Sequence, residues 1–234
     1  MSEYQYYEFQ AIDRPLTATE KTAISQLSSR VKPTAHCAKF TYSHGDLPGD
    51  PKQVLAKYFD VMYYIANWGT QRLAFRFPKS LISPETIAPY CIHGAIEFTV
   101  TGDWAILDWQ FNDEEGFGWI DDDRDILPEL IDLRQEILQQ DYRGLYLAWL
   151  KALTSSEEYV DIDTSELEPP VPPGLSKLSP AQTAFTNIFE LSDDLLEAAA
   201  SASSQPNVIA DPDWERSIAQ LSRQDCEDFR LFIT

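Results

Sequence analysis

The chain has 234 residues, of which 44% are hydrophobic and 12% aromatic, a composition that supports a buried core and excludes global disorder. Its 18 lysines and arginines against 38 acidic residues give a formal net charge of −20, which disfavours direct binding to nucleic acid or to an anionic membrane. Three scattered cysteines exclude a disulfide framework. Because neither a secretory signal nor a membrane-spanning apolar segment is recognised, the sequence predicts a cytoplasmic protein.

The first 112 residues are predicted to alternate strands with helices. Near-alternating apolar and aromatic residues predict strands at residues 4–12, 36–42, 73–77, 95–100 and 104–111. Apolar residues at helical spacing, with caps such as the Thr17–Glu20 capping box, predict helices at 18–30 and 51–66 and a short helical turn at 83–90. This order predicts an α+β fold over residues 1–112, with a mixed sheet of about five strands and helices packed on it.

The third predicted strand alternates phenylalanines with arginines. Phe75 and Phe77 are expected on its buried face, whereas Arg72 and Arg76 are expected on a face in contact with water. The arginines could contact phosphate or receive the acidic half of the chain, although a solvated face over a packed core is the simpler interpretation. Gly69, which precedes this strand, is predicted to end the helix before it.

Beyond residue 112 the sequence predicts an acidic all-helical region. Helices are expected at 127–138, 142–153, from 180, at 193–203 and from 211. Residues 113–234 carry 8 basic and 27 acidic side chains, a net charge of −19, whereas residues 1–112 carry 10 and 11, a net charge of −1. The predicted segments are an acidic loop and helical pair at 113–168, a proline-rich spacer at 169–180 and a helical C-terminal region at 181–234.

No catalytic or cofactor-binding motif is recognised in the sequence. It has no Gly-rich phosphate loop and no nucleophile elbow, and four potential zinc ligands match no paired motif, namely His36, His44, Cys91 and His93. The acidic run that begins at Asp121 has the 1-3-5 spacing of a calcium loop, but Ile126 stands where that loop needs glycine. The sequence therefore predicts no catalytic residue, no cofactor and no metal site, and it predicts structural cysteines.

Several ordered motifs resemble a widespread family of bacterial proteins. The chain opens with MSEYQYYEFQAIDRPLT. The further shared motifs are GD at 45–46, GDP at 49–51, YFD at 58–60, ANWGT at 66–70, APYC at 88–91, RGLYLAWL at 143–150 and LEPPVPPGL at 167–175. The resemblance covers nearly the whole chain. It implies a soluble cytoplasmic protein without an assigned activity, cofactor or catalytic residue, in a family whose members continue in charged helices and are associated with neighbours carrying a SWIM-type zinc finger.

Two functional hypotheses follow from the sequence. The first is a non-enzymatic interaction or accessory module whose acidic helical half docks a basic or nucleic-acid-binding partner protein. The residues expected to contact this partner are Asp121, Asp122, Asp123, Pro169, Pro170, Pro172, Pro173, Phe229 and Phe232. The alternative is an enzyme of unknown class, with a site assembled at strand and helix ends near Trp68, His93 and Asp113. The sequence leaves the oligomeric state open.

Overall fold

The computed structural model describes residues 3–29, 31–113, 115–118, 120, 125–155 and 168–205. Within these ranges, six strands form one antiparallel sheet in the order β2-β1-β3-β4-β6-β5. The strands are β1 (Gln5–Gln10), β2 (Cys37–Tyr42), β3 (Val61–Ala66), β4 (Thr70–Pro78), β5 (Ile96–Thr101) and β6 (Trp104–Asn112). The α+β class is therefore confirmed, whereas the expected mixed sheet of about five strands is corrected to an antiparallel sheet of six.

The described ranges contain eight α-helices, α1 (Ala18–Ser25), α2 (Pro51–Tyr58), α3 (Pro84–Ile87), α4 (Leu127–Leu130), α5 (Asp132–Leu138), α6 (Arg143–Thr154), α7 (Pro180–Ile188) and α8 (Asp193–Ala202). The capping box predicted between Thr17 and Glu20 is present at the start of α1. The helix predicted at 127–138 is divided at Ile131 into α4 and α5. None of these helices has the length and apolar character needed to cross a membrane. The helix predicted from residue 211 lies outside the described residues.

Strand β3 replaces the second half of the helix that the sequence predicted at 51–66. Helix α2 ends where Phe59 takes an extended conformation, and β3 then pairs with β1 on one side and β4 on the other. Its side chains are buried on both faces of the sheet, because Tyr63 belongs to the hydrophobic cluster on one face and Met62 to the cluster on the other. A strand buried on both faces forms a continuous apolar run, and a short run of this kind also matches helical spacing.

Helices cover both faces of the sheet. On one face, Ile24 of α1 and Leu55 of α2 pack in a cluster with strand residues such as Phe9. On the other face, the ring of Trp109 in β6 lies 5.4 Å from that of Phe185 in α7, centroid to centroid. Because one cluster contains residues of the sheet and of α4 to α8, the described helices of the second half belong to the same compact unit as the sheet.

Arg72 and Arg76 lie under a helical layer, contrary to the expectation of a face in contact with water. Arg76 is 5% exposed and pairs with Asp60 at 2.6 Å. Arg72 donates two hydrogen bonds of 2.6 Å to the carboxylate of Asp108, which also pairs with Lys52 of α2 at 2.7 Å. Both guanidinium groups are thus held by carboxylates of the chain itself, which removes this pair as a phosphate-binding surface.

A buried ionic network joins the two helical layers. Asp60 accepts hydrogen bonds from Arg76 at 2.6 Å and from the backbone N–H groups of Ile12 and Asp13 at 2.6 and 3.0 Å. Arg134 of α5 donates to the Arg76 carbonyl at 2.8 Å and to both carboxylate oxygens of Asp13 at 2.8 Å. Burial raises the pKa of Asp60, but the hydrogen bonds that it accepts outweigh burial and hold the pKa below its usual value.

Candidate functional site

The hairpin turn between β3 and β4 lies at the end of the sheet where β6 also finishes. Gly69 has a φ of +106° in this turn, and its carbonyl accepts the N–H of Asp113 at 2.9 Å. A Cβ atom on Gly69 would lie 1.8 Å from the Asp113 carbonyl oxygen, so the turn requires glycine. Gly69 therefore belongs to a hairpin and does not end a helix, because the segment before it is β3.

The loop that follows β6 is held against this turn. Gly116 has a φ of +72°, and a Cβ there would lie 2.7 Å from the carbonyl oxygen of Asn67. The backbone N–H of Phe117 donates to the same oxygen at 3.2 Å. These two close approaches position the Phe117 side chain beside a cavity at the end of the sheet.

The structure assembles part of the region that the enzyme hypothesis named. Asn67 and Asp113 both contact the loop after β6, and Trp68 is 46% exposed beside them with its Nε1 donating to Thr70 Oγ1 at 3.1 Å. His93 is exposed in the turn before the edge strand β5, and no contact in the described part of the chain joins it to Asp113. The three named side chains therefore do not form one cluster here.

A cavity of about 320 Å³ opens beside the hairpin turn. Six of its lining residues come from β1, β3, β4, the loop after β6, the start of α4 and the end of α7: Tyr6, Tyr63, Gln71, Phe117, Ile126 and Glu190. A second cavity of about 10 Å³, roughly the space of one water molecule, adjoins it and shares Gln71, Phe117 and Glu190. Because Tyr6 and Gln71 are buried and Glu190 is exposed, the cavity extends from the sheet to the surface.

Gln71 of β4 is the buried polar group at the inner end of both cavities. It is 4% exposed, and its Nε2 donates to Tyr63 Oη at 2.8 Å and to the Ile188 carbonyl at 3.2 Å. Because a carbonyl oxygen only accepts, the contact with Ile188 assigns this atom as the amide nitrogen. Both amide hydrogens are used in these contacts, which leaves Gln71 Oε1 as the acceptor of a side chain that lines both cavities.

The smaller cavity is lined by one basic and two acidic residues. Lys151 of α6, Asp113 and Glu190 all line it. Burial lowers the pKa of Lys151, and the charges of Asp113 and Glu190 offset part of this effect. Glu190 follows α7 with a φ of +52°, and the N–H of Leu191 donates to the Thr186 carbonyl at 2.9 Å, a Schellman-type helix end. Glu190 of this helix end lines both cavities.

A buried carboxyl group lies beside the larger cavity. Glu8 of β1 is 2% exposed and accepts hydrogen bonds from the N–H groups of Ile126 and Leu127 at 3.2 and 3.4 Å. Burial raises the pKa of Glu8, and these backbone hydrogen bonds only partly offset it. The Tyr6 hydroxyl donates to Glu8 at 3.4 Å, and burial also raises the pKa of Tyr6. Tyr6 therefore presents a neutral ring to the cavity.

The two described cysteines show no sign of nucleophilic activation. Burial raises the pKa of Cys37 to about 11 and also raises the pKa of Cys91. Both thiols are thus protonated at neutral pH, as structural cysteines are expected to be. Within the described ranges, no group of three or more histidine, cysteine, aspartate or glutamate side chains is arranged to hold a metal ion.

The predicted partner contacts are placed only in part. Pro169 and Pro172 are buried against the chain itself, whereas Pro170 and Pro173 are exposed. Tyr90 Oη donates to the Pro170 carbonyl at 2.9 Å, and Ser203 Oγ donates to the Pro172 carbonyl at 2.7 Å, so the proline run is attached to the helices around it. The remaining predicted contacts lie outside the described residues, namely Asp121, Asp122, Asp123, Phe229 and Phe232.

Sequence reasoning missed the polar residues of the cavity. Gln71, Lys151 and Glu190 belong to no motif, and they come together only when α6 and α7 pack on the sheet. Alternation along β4 places Gln71 on the same face as Phe75, and this was the one available signal of a polar residue in the core. No family model matches the chain, and no curated protein or solved structure compared with it is significantly similar.

Proposed function

We propose that this protein is a non-enzymatic interaction module that docks a basic or nucleic-acid-binding partner protein through its acidic helical half. The observation that carries the proposal is a set of exposed carboxylates on α8. Asp193, Asp194 and Glu197 are exposed and form no ion pair within the described part of the chain. Exposed carboxylates without an ion pair attract a positively charged surface over one Debye length, which is about 10 Å at 0.1 M salt.

The described basic residues of the same half support the proposal because three of the four are held within the fold. Arg134 is 4% exposed and pairs with the first half, and Arg143 pairs with Asp141 at 2.6 Å. Lys151 is half-buried in the smaller cavity. Of the four basic side chains between 125 and 205 that the structure describes, only Lys177 is exposed at the surface. Among the described residues of this half, the exposed carboxylates are therefore poorly neutralised.

Two further features fit the proposed docking role. The exposed Pro170 and Pro173 are held on the surface and present an ordered apolar contact next to the acidic helices. The free thiols of Cys37 and Cys91 support a reducing cytoplasm as the place where the protein works. The acidic run at 121–123 and the apolar Phe229 and Phe232, which lie outside the described residues, are proposed as further contacts on the basis of the sequence.

The test compares two variants that lose the same charge in different places. Asp194→Asn with Glu197→Gln neutralises α8, and Asp103→Asn with Glu85→Gln removes one exposed aspartate and one exposed glutamate from the first half. Tagged wild-type and variant chains are used to capture proteins from the source lysate at low and high salt, and the captured protein is then purified and titrated. We expect a basic protein that binds the wild type, dissociates at high salt and binds the α8 variant at least about fivefold more weakly.

Two outcomes would contradict the proposal. If the purified partner bound both variants with equal affinity, the α8 carboxylates would not be the docking surface. If no basic protein bound the wild type at low salt, the interaction role itself would fail.

A further inference from the structure

We infer that the 320 Å³ cavity at the end of the sheet binds a small organic ammonium ion on an apolar stem. The cavity is separate from the exposed carboxylates of α8 and adds a small-molecule site to the proposed docking function, on which it does not depend. Three properties of the cavity identify this chemistry: an unpaired hydrogen-bond acceptor, an excess of negative charge and a group of apolar side chains in the walls.

The acceptor is Gln71 Oε1. Both hydrogens of the Gln71 amide are donated inside the protein, to Tyr63 Oη and to the Ile188 carbonyl. Within the described part of the chain no group donates to Oε1, and because this oxygen is not fully enclosed it is accessible from the cavity that Gln71 lines. A ligand that donates an N–H can therefore bind this oxygen. An acceptor group on a ligand would find no hydrogen there.

The charge of the lining residues selects a cation. Glu190 and Asp113 contribute two carboxylates to the two adjoining cavities, and Lys151 contributes one ammonium. One negative charge among the described lining residues is therefore uncompensated. Gln71 and Glu190 both line the larger and the smaller cavity. An ammonium placed there would bind both groups.

The remaining walls suit an apolar stem. Ile65, Ile120 and Ile126 line the larger cavity together with the rings of Tyr63 and Phe117. Aliphatic and aromatic walls with a few convergent polar groups are the usual composition of small-molecule sites. The faces of aromatic rings also attract cations. Phe117 is brought to the cavity by its backbone hydrogen bond to Asn67, which the adjacent glycine permits.

The experiment uses 2-phenylethylamine as the probe, with 2-phenylethanol and phenylacetate as neutral and anionic analogues of similar shape. Each is titrated into isotopically labelled full-length protein, and binding is followed by NMR through the side-chain amide signal of Gln71 and the backbone amide of Gly69. We expect saturable shifts with the amine, with a Kd on the order of 1 mM as is typical of so small a ligand. We expect weaker binding of the alcohol and none of the carboxylate.

Variants separate the site from general effects of charge. Glu190→Gln keeps the shape of the side chain. It should weaken binding of the amine at least about fivefold and leave binding of the alcohol unchanged. Glu85→Gln removes the same charge from exposed α3 and should change neither. Ile65→Phe fills the cavity from β3 and should abolish binding of both probes. Thermal unfolding of each variant shows that the fold is retained, and the Glu190→Gln result stands if Ile65→Phe does not fold.

An ammonium on an apolar stem occurs both as a free amine and as a lysine side chain of another protein. Nα-acetyl-lysine methylamide is therefore titrated in parallel. Tighter binding of the lysine derivative than of the arylalkylamine would identify a protein side chain as the occupant, and the reverse would identify a free amine. Absence of saturable shifts with both amines in the wild type, or equal weakening by Glu190→Gln and Glu85→Gln, would overturn the inference, whereas the docking function would be unaffected.

Discussion

Arg134 donates hydrogen bonds to both carboxylate oxygens of Asp13 at 2.8 Å, although 121 positions separate the two residues in the chain. Arg134 lies in α5 and is 4% exposed, so this contact attaches the acidic half of the chain to the segment after β1. The change in charge at residue 112 is therefore not accompanied by a break in the core. The net charge of the chain changes at residue 112, whereas the hydrophobic core contains residues from both sides of that position.

Replacing this arginine should cost stability. Arg134→Met leaves the Asp13 carboxylate and the Arg76 carbonyl without their donors, and we expect the free energy of unfolding to fall by about 3 kcal/mol. The control is Arg14→Met, which breaks the more exposed pair between Arg14 and Glu20 and should cost less than about 1 kcal/mol. Urea unfolding of both variants measures the difference. Equal losses would contradict a structural role for the Arg134 network.

Asp60 should make the protein sensitive to acid. Its folded pKa lies below the unfolded value of about 3.9, so the ionised carboxylate contributes stability above that pH, and this contribution is lost as pH falls through the folded pKa. Asp60→Asn should be less stable than the wild type at neutral pH, and the gap should narrow as the solution is acidified. Unfolding free energies measured from pH 6 down to about pH 2.5 test this expectation. A gap that stayed constant would show that Asp60 does not titrate with folding.

Glu8 should have the opposite dependence on pH. Burial raises its pKa in the folded state, so its contribution to stability is full below the unfolded pKa of about 4.3 and is lost as pH rises through the folded pKa. Glu8→Gln retains an oxygen that can accept the N–H groups of Ile126 and Leu127 but carries no charge. We expect this variant to gain stability relative to the wild type as pH increases from about 4 to 7. A relative loss over that interval would contradict the raised pKa.

The hairpin turn beside the cavity should not tolerate a side chain at Gly69. In Gly69→Ala the new Cβ would overlap the Asp113 carbonyl in addition to straining a positive φ, and we expect a loss of about 3 kcal/mol or more. Gly102 also has a positive φ, +62°, but a Cβ there would meet no atom within 4 Å. Gly102→Ala should therefore cost only about 1 kcal/mol. Denaturant unfolding measures the loss of stability in each variant. The difference between the two losses gives the cost of the steric overlap at Gly69, because both positions share the strain of a positive φ.

Local signals predicted most of the described elements. The Thr17–Glu20 capping box and the Asp50–Pro51 and Ser179–Pro180 starts each lie within the first turn of a helix, so the residues that decide the element are neighbours in the sequence. The hairpin of β5 and β6 depends in the same way on a tight turn at Gly102. Strand β3 was missed because its apolar run fits a helix as well as a strand, and only its pairing with β1 and β4 decides between them.

The sequence by itself determined the α+β class, most helix starts and the uneven distribution of charge, because these properties depend on composition and on residues close together in the chain. Only the tertiary structure decided that Arg76 is buried and Arg72 half-buried, and that a cavity forms beside Gln71. Gln71 Nε2 binds the carbonyl of Ile188 across 117 positions. Such a contact exists only after α7 has packed on the sheet, and no periodicity or spacing within one segment records it.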